Sequence, residues 1–462
     1  MVRFSALDAL RGLAILAMCF SGRIPWGNLP AWMYHAQTPP PDFQVSESTF
    51  GITWVDLVFP FFLFAMGAAI PLAYSQRRPS GPGWLVAIGV LQRGILLGIF
   101  AVIVQHIRPE QISASPSLQT HWLAIALFFA VAVAFAKWPK AVPPKLAIAM
   151  RVLGWLCLVV AMLLLPFRSG RGFDIGNSDT IIMVLAHVSV TGTAIWWLTR
   201  ESHLARLAAI GIMAALFLGR AESDFASLIW NWTPAGWAYD FEFQKYLLIL
   251  LPGTIAGDLY LASKSHEESP SWHVLRRLGI AAIGLGLPMF LVYSLFGREH
   301  SWSMSGALIA SCVVPALALK AQSADERLVR GLAHWGAALL PIGVLLEPLG
   351  GGIRKDSPST ISYFFVTAGL AFFFLAALTV IVRGTSKRNP TSWLAEVGMN
   401  PMLAYVAITN LSVSVFAVTG IAGWVEHQGY SPWQLTLFAG VQTLFVGLIA
   451  YLGSRVRFFV RA

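Results

Sequence analysis

Long runs of uncharged apolar residues recur along the whole chain and constrain its fold more than any other feature. Four of them, Val58–Ala69, Leu123–Ala136, Leu156–Leu165 and Gly369–Val382, contain no charged residue. Of the 462 residues 56% are hydrophobic and 12% are charged, whereas a typical soluble domain has about 25% charged residues. A bilayer-spanning helix needs about 20 mostly apolar residues. The sequence therefore predicts an all-α, polytopic transmembrane helix bundle.

About fourteen apolar segments are candidate membrane spans. They cover residues 8–24, 52–75, 83–105, 121–137, 146–166, 180–198, 204–219, 245–262, 276–296, 302–320, 331–349, 361–382, 393–418 and 432–454. Several are short, so we predict about 11–14 transmembrane helices in one integral membrane domain over residues 1–462. The first segment lacks a small-residue cleavage site, and we expect it to remain as the first helix rather than to be removed as a signal peptide.

The basic residues predict an orientation. With a cytoplasmic amino terminus, the loops assigned to the inside carry twenty Lys and Arg residues and those assigned to the outside carry nine. This bias follows the positive-inside rule and places both termini in the cytoplasm when the helix count is even. The net charge of +10 is therefore a topology signal, and we expect no nucleic-acid partner. We expect a multi-pass protein of a bacterial inner membrane.

Metal and disulfide chemistry have no sequence support. Cys19, Cys157 and Cys312 all lie in apolar segments, and no His or Cys pair has the spacing of a metal site. We predict no metal and no disulfide. The lipid bilayer is the expected partner, and a homodimer is left open.

Ionisable residues inside apolar segments are the first functional candidates, because they are costly in a membrane unless they pair or line water. Asp8 and Arg11 are three residues apart at the start of the first helix, where they can form an ion pair. Alternatively, Arg11 binds a phosphate or carboxylate that arrives from the cytosol. Asp56 is either a first-turn acid favoured by the helix dipole or a group that orients a neighbouring imidazole.

Further candidates lie in loops and at helix ends. His35 precedes Asp56 in the first outside loop, and a histidine can act as a general base near neutral pH. Glu347 ends an apolar run just before Arg354 and Lys355, either of which is a candidate partner for its carboxylate. Asn400 either joins helices by hydrogen bonds or contacts a ligand. A plain loop is the simpler interpretation of the 347–355 region.

Three ordered motifs change the balance between these alternatives. They are Asp8-Ala9-Leu10-Arg11-Gly12, then His35-Ala36 in the following loop, then Asp56-Leu57-Val58-Phe59-Pro60. Together they resemble the heparan-α-glucosaminide N-acetyltransferase family and its bacterial relatives in the transmembrane acyltransferase superfamily. The strong resemblance covers residues 4–75, and Gly398-Met399-Asn400 also looks like the family.

The resemblance implies a transmembrane acyltransferase. Such an enzyme takes an acetyl group from cytosolic acetyl-CoA, its co-substrate, and passes it to a sugar amine or hydroxyl on the other side. By resemblance His35 is the general base or a transient acyl carrier, and Asp56 is the acid that follows it. We assign Asp8, Arg11 and Asn400 to the cofactor side. We assign Arg354, Lys355 and Glu347 to binding of the sugar or glycan acceptor.

One position departs from the family. An asparagine near the end of helix 1 assists catalysis in the family, whereas this chain has Phe20-Ser21-Gly22-Arg23 there. Ser21 or Asn28 could supply the missing hydrogen bond.

A proton-coupled transporter is the alternative function, with Asp8, Asp56 and Glu347 as coupling sites and a helix break at 251–254. A non-catalytic scaffold would leave the polar residues at the starts of the helices unexplained.

Overall fold

The computed structural model describes residues 4–27, 29–74, 83–263, 274–318, 323–356, 358–384 and 391–461. Helices of its first half are α1 Ser5–Ser21, α2 Trp54–Tyr74, α3 Gly83–His106, α4 Pro109–Ile112, α5 Leu118–Ala134, α6 Pro144–Leu164, α7 Thr180–Thr199, α8 His203–Gly219, α9 Asp224–Trp230 and α10 Leu247–Ser263.

The second half of the chain also consists mainly of helices. Its helices are α11 Val274–Phe296, α12 His300–Ala318, α13 Ala324–Leu345, α14 Ile361–Gly384, α15 Ser392–Gly398, α16 Pro401–Val406, α17 Val413–Val418, α18 Ile421–His427 and α19 Pro432–Arg455. A π-helical turn, Ala407–Ser412, joins α16 to α17. Three 3₁₀ turns occupy Ala31–Met33, Phe241–Tyr246 and Pro348–Gly350, and two short strands are β1 Ala136–Lys137 and β2 Phe459–Val460.

The predicted all-α membrane bundle is confirmed. Within the described ranges, 11 helices are long and apolar enough to cross a bilayer, and the pair α8–α9, bent by 106°, would be a twelfth. The 17-residue helices α1 and α5 occupy the two remaining predicted segments. The chain is therefore a multi-pass membrane protein, and its number of spans lies within the predicted range.

Burial separates the central helices from the peripheral ones. In its most apolar stretch α2 is 83% buried and α14 is 78% buried, whereas α6 is only 11% buried. Glycines allow α2 and α10 to pack backbone against backbone, since a Cβ at Gly67 would lie 2.1 Å from the Leu250 carbonyl oxygen. A Cβ at Gly253 would lie 2.2 Å from the carbonyl oxygen of Phe64. The outer end of α2, which begins two residues before Asp56, is thus held in the rigid centre.

The predicted helix break at 251–254 is wrong. Helix α10 continues from Leu247 to Ser263 with Pro252 inside it. Proline removes one hydrogen bond, and the close packing of Gly253 against α2 keeps the helix straight enough to continue. An interruption is found instead near the carboxyl terminus, at Asn400 between α15 and α16 and in the π-helical turn that follows.

Contacts between distant loops are consistent with alternating helix directions. Strands β1 and β2 pair antiparallel, which places the loop after α5 and the carboxyl-terminal segment at one end of the bundle. At the other end, the Arg354 guanidinium donates to the carbonyl oxygen of Glu47. We call the first end cytoplasmic and the second end outer, because the first carries the predicted excess of basic residues.

Labelling of single cysteines tests this orientation. We expect Glu201→Cys, at a side chain that is 87% exposed at the cytoplasmic end, to be protected from a membrane-impermeant maleimide in intact cells. We expect Ser48→Cys in the outer loop to react. The unmodified chain controls for its own cysteines, and the reverse pattern would invert the whole assignment of inside and outside.

Candidate functional site

The loop between α1 and α2 presents His35 at the outer end. The 3₁₀ turn Ala31–Met33 leads into Tyr34, whose hydroxyl donates to the carbonyl oxygens of Pro25 at 2.8 Å and Gly27 at 3.0 Å. Burial raises the pKa of the Tyr34 phenol, so the hydroxyl keeps the proton that it donates. The residue before His35 is therefore fixed on its loop.

Hydrogen bonds to the carboxylate of Asp56 hold this loop against the start of α2. The carboxylate Oδ1 lies 2.6 Å from His35 Nδ1. Its Oδ2 accepts hydrogen bonds from the backbone N–H of Ala36 at 3.1 Å and of Thr53 at 2.9 Å, and from Thr53 Oγ1 at 3.3 Å. The side chain of Asp56 is 0% exposed, whereas that of His35 is 42% exposed. A buried acid thus holds an imidazole that reaches solvent.

This geometry fixes the tautomer of His35. The backbone N–H groups of Ala36 and Thr53 both donate to Asp56, which favours an ionised carboxylate, and an ionised carboxylate only accepts hydrogen bonds. The proton between the two side chains therefore belongs to Nδ1 of the ring. In the neutral ring Nε2 then carries the lone pair and is the nitrogen that can act as a base. Both predicted roles of Asp56, first-turn acid and imidazole partner, are seen in the structure.

Two residues from the loop and helix after α13 complete this site. Lys355 Nζ lies 3.3 Å from His35 Nδ1 and 3.5 Å from the carboxylate of Asp356. Tyr363 on α14 donates its hydroxyl to the backbone carbonyl oxygen of Asp56 at 2.8 Å. An ammonium group only donates and Nδ1 already carries a proton, so Lys355 contributes a positive charge beside the ring rather than a hydrogen bond to it.

The other two residues predicted to bind acceptor have structural contacts. Arg354 donates from Nε to the carbonyl oxygen of Pro358 at 2.9 Å, and its guanidinium lies 5.0 Å from the ring centroid of Phe50. Glu347 was predicted to pair with Arg354 or Lys355, and that pairing is wrong. Its carboxylate lies 3.0 Å from Nδ1 of His300 instead, a residue at the start of α12 that nothing in the sequence places beside it.

Asp8 and Arg11 form the predicted ion pair, with 3.5 Å between their charged atoms. Arg11 also donates to the carbonyl oxygens of Gly398 at 3.3 Å and Ala65 at 3.4 Å. Ala65 is nine residues beyond Asp56 on α2, which is about 14 Å along the helix axis. The two groups of predicted residues therefore lie at different depths, with the backbone of α2 extending between them.

Asn400 makes hydrogen bonds between distant segments, which was one of its two predicted roles. Its Nδ2 donates to the carbonyl oxygen of Phe458 at 2.9 Å, and its Oδ1 accepts from the backbone N–H of Val460 at 3.1 Å. Both ends of the amide thus hold the carboxyl-terminal segment at the cytoplasmic end. The predicted contact with a cofactor is not needed to explain this residue.

We expect Asn400→Ala to release the carboxyl-terminal segment while leaving the bundle folded. The change leaves two buried backbone groups without their partner, at a cost of about 1–3 kcal/mol for each. Hydrogen–deuterium exchange of residues 456–461 should accelerate, with unchanged exchange in α2. An Asn400→Asp variant keeps the acceptor and loses the donor, so its effect should be intermediate. Unchanged exchange in the alanine variant would contradict this role.

Several residues of the candidate site were not predicted from the sequence. Thr53 could have been found, since Thr followed three residues later by Asp is a helix-start pattern. Tyr363 left no signal. Of the two proposed substitutes for the helix-1 asparagine, Ser21 donates to Met18 within its own helix at 3.0 Å, and Asn28 lies outside the described residues.

Comparison with known proteins gives a family. Residues 3–260, more than half of the chain, match the family described as domain of unknown function DUF5009. The chain belongs to the DUF5009 family. The match includes α1, the His35 loop and α2, so the site is built mainly from the DUF5009 region, with Lys355 and Tyr363 contributed from beyond it.

A curated relative of this DUF5009 protein is also a membrane protein. It is the uncharacterized inner membrane transporter YicL of Salmonella typhimurium, strain LT2, which is 29% identical over 161 residues. The match covers 34% of this chain and 49% of the relative, so it spans about half the length of that protein.

Within the described residues no group of three or more His, Cys, Asp or Glu side chains could hold a metal ion.

Proposed function

We propose that this protein is a transmembrane acyltransferase that moves an acetyl group from cytosolic acetyl-CoA to an amine or hydroxyl of an outer sugar or glycan. The observation that carries the proposal is the His35–Asp56 pair, in which a buried carboxylate orients an imidazole that is 42% exposed at the outer end. A fixed imidazole with one nitrogen free is the arrangement of a general base.

The reaction follows from this arrangement. Nε2 of His35 accepts a proton from the acceptor amine or hydroxyl as the acceptor atom attacks the thioester carbonyl carbon. The carbon–sulfur bond breaks, and the departing sulfur of coenzyme A takes up a proton, which His35 can return. In the alternative route Nε2 attacks the thioester carbon first, and the carbon–sulfur bond breaks to release coenzyme A as the thiolate. The acceptor then attacks the acetyl-imidazole, the bond from Nε2 to the acetyl carbon breaks, and the acceptor's proton passes through Nε2 to the thiolate. Asp56 holds the ring and stabilises the positive charge that either route places on it.

Lys355 has a separate role in the proposal. Attack on a thioester carbonyl places negative charge on its oxygen, and a cation beside that oxygen stabilises the transition state. Lys355 Nζ lies 3.3 Å from His35 Nδ1, and its ammonium is the cation that we propose to stabilise the oxygen of a carbonyl held beside this ring. Asp356, 3.5 Å from the same ammonium, keeps it in place in the resting enzyme.

The placement of the cytoplasmic residues supports the same proposal. Coenzyme A carries phosphates that do not enter a hydrocarbon core, so its charged end has to stay near the cytoplasm while the thioester reaches inward. Arg11 contacts α2 about 14 Å from Asp56 along the helix axis. That separation suits an extended thioester arm between a charged end and a reacting end. The resemblance to the heparan-α-glucosaminide N-acetyltransferase family is the other support.

A transporter is the second candidate, and two observations favour it. The relative from Salmonella is named as an inner membrane transporter, and we extend the inner-membrane location to this chain as part of the proposal. The span formed by α15, α16 and α17 is discontinuous, as in transporters that bind solutes at broken helices. Asn410 Oδ1 and Ser412 Oγ in its π-helical turn are buried, and neither has a hydrogen-bond partner among the residues that the structure describes.

One experiment separates the two candidates. Purified protein in detergent is incubated with radiolabelled acetyl-CoA and a pool of amino sugars, and labelled products are resolved by chromatography. Acetylated sugar that depends on His35 supports the acyltransferase. Absence of both coenzyme A binding and transfer, together with proton-driven sugar uptake by reconstituted vesicles, would favour the transporter.

A further inference from the structure

His187 lies inside a membrane-spanning helix and has a hydrogen-bond acceptor beside each of its two ring nitrogens. Nδ1 is 2.7 Å from the carbonyl oxygen of Met183, one turn earlier on α7. Nε2 is 2.8 Å from the carbonyl oxygen of Ala238, in the outer loop that follows α9. Both distances are those of ordinary hydrogen bonds. Carbonyl oxygens only accept, so each ring nitrogen has to supply a proton.

This requirement determines the charge of the ring. A neutral imidazole carries a proton on one nitrogen and a lone pair on the other, whereas an imidazolium carries a proton on both. In a neutral His187 one lone pair would face a carbonyl oxygen at 2.7 or 2.8 Å, and that contact is repulsive. The hydrogen bonds of His187 are therefore complete only in the charged form.

His106 shows the neutral arrangement in the same protein. Its Nδ1 also lies 2.8 Å from a carbonyl oxygen one turn earlier, that of Val102 on α3. Its Nε2, however, accepts a hydrogen bond from the backbone N–H of Asp174 at 3.3 Å. One donor and one acceptor satisfy a neutral ring. The two histidines differ in the partner of Nε2, and the partner of His187 requires a second proton.

The surroundings of His187 keep water away from these contacts. The residue is 8% exposed, and the rings of Tyr239 and Phe243 lie 5.2 and 5.3 Å from the imidazole, measured between centroids. A buried polar group without a partner is costly because no water replaces the lost hydrogen bond. Loss of the ring proton therefore destabilises the docked loop, since water can reach the Ala238 carbonyl only when the loop moves away.

The two carbonyl oxygens, rather than a carboxylate, stabilise the charge on His187. Among the described residues no carboxylate forms an ion pair with the ring, and Glu242 in the nearby 3₁₀ turn is paired with Lys245 at 2.6 Å. Further titratable residues on the elements packed against α7 are Tyr246 in that turn, Asp56 and Tyr74 on α2, Arg93 and His106 on α3, His203 and Arg206 on α8, and Asp258 and Tyr260 on α10. In the part of the chain that the structure describes, none of these makes a hydrogen bond, ion pair or ring contact with the imidazole.

We propose that His187 is a proton-binding site and that its charged form fastens the outer loop, residues 231–240, to α7. Docking of the loop takes up a proton on the ring, and undocking returns that proton to the outer water. By linkage, docking is favoured at low pH and weakens as the pH rises, and histidine changes charge between about pH 5 and pH 8. His187 is about 11 Å along the axis from the outer start of α7, so the loop responds to the pH of the outer compartment.

The test measures the protection of residues 231–240 from hydrogen–deuterium exchange in the full chain in nanodiscs. Protection factors, corrected for the pH dependence of chemical exchange, are compared at about pH 5.5 and about pH 8.5, near the ends of the range in which histidine changes charge. His187→Gln removes the titrating ring, and His106→Gln is the matched control because the contacts of His106 need no charge. Nitrogen NMR of ¹⁵N-labelled His187 counts the protons on its ring, and thermal unfolding reports whether each variant is folded.

For wild type we expect both ring nitrogens of His187 to be protonated at the lower pH. We expect protection of residues 231–240 to fall by roughly tenfold or more at the higher pH, because one linked proton changes the docking equilibrium by up to about tenfold per pH unit. His187→Gln should show protection that does not change with pH, and His106→Gln should follow wild type.

The same protection of the wild-type loop at both pH values would overturn the proposal. A protected loop at low pH with one protonated ring nitrogen on His187 would overturn it too, and these two wild-type measurements decide the question if His187→Gln does not fold. A pH effect that persists in folded His187→Gln would assign the proton to another group. Loop docking needs no acetyl transfer, so these results are independent of the acyltransferase proposal.

Discussion

We expect His35→Ala to lower acetyl transfer by about 10²- to 10⁴-fold, which is the contribution of a well-placed general base. If His35 carries the acetyl group covalently, the rate of acetyl transfer should fall below the limit of detection. The ring is 42% exposed and makes its one short contact with Asp56, so the variant should fold and bind coenzyme A as wild type does. The measurement is initial rate at saturating acetyl-CoA, with coenzyme A affinity measured in parallel.

The control for this prediction is His427→Ala, which removes an exposed histidine of α18. We expect that variant to keep the wild-type rate. A His35→Ala protein that transfers acetyl groups at the rate of the control would show that the imidazole has no part in the chemistry.

The second large effect is expected for Asp56→Asn, through the tautomer of His35. The amide can keep its oxygen at the Oδ2 position, where Ala36 N–H and both donors of Thr53 converge. Its NH₂ group then faces Nδ1 of His35 and donates to it. The ring proton has to move to Nε2, and Nε2 can no longer accept a proton. We expect at least about a 10²-fold loss of rate, as for other catalytic histidines that lose their orienting acid.

Stability separates this mechanism from a general loss of structure. Asp56→Asn retains the hydrogen bonds that Oδ2 accepts, whereas Asp56→Ala leaves the backbone N–H groups of Ala36 and Thr53 buried and unpaired, at about 1–3 kcal/mol for each. We therefore expect the alanine variant to unfold at a much lower temperature than the asparagine variant. Nitrogen NMR of ¹⁵N-labelled His35 should report the exchanged tautomer in Asp56→Asn. A fully active Asp56→Asn enzyme would contradict the proposed orientation of the ring.

The features that could be predicted from the sequence are those set by residues close together in the chain. The apolar runs predicted the membrane bundle, since a bilayer-spanning helix imposes its length on the sequence. The His35–Asp56 contact was predicted because the two residues flank one helix start. Thr53 completes the same start, and its relation to Asp56 follows the spacing of a capped helix.

Contacts between distant segments could not be predicted in the same way. Lys355 lies 320 positions from His35, and its neighbour Arg354 turns instead towards Glu47. Nothing in two adjacent basic residues shows which of them faces the site. Pro252 illustrates the opposite error, since a local helix breaker was overridden by the packing of α10 against α2. Asn400 was predicted either to make hydrogen bonds between helices or to contact a ligand, and the sequence could not show that its partner would be the carboxyl-terminal segment, about 60 residues further along.

Sealed membrane vesicles allow the most direct test of acetyl transfer across the bilayer. Inside-out vesicles are loaded with amino sugars, and radiolabelled acetyl-CoA is added outside, where the cytoplasmic end of the protein is exposed. We expect acetylated sugar inside the vesicles for wild type and none for His35→Ala, while acetyl-CoA itself stays outside. Labelled sugar that forms only when acetyl-CoA and acceptor share one compartment would contradict transfer across the bilayer.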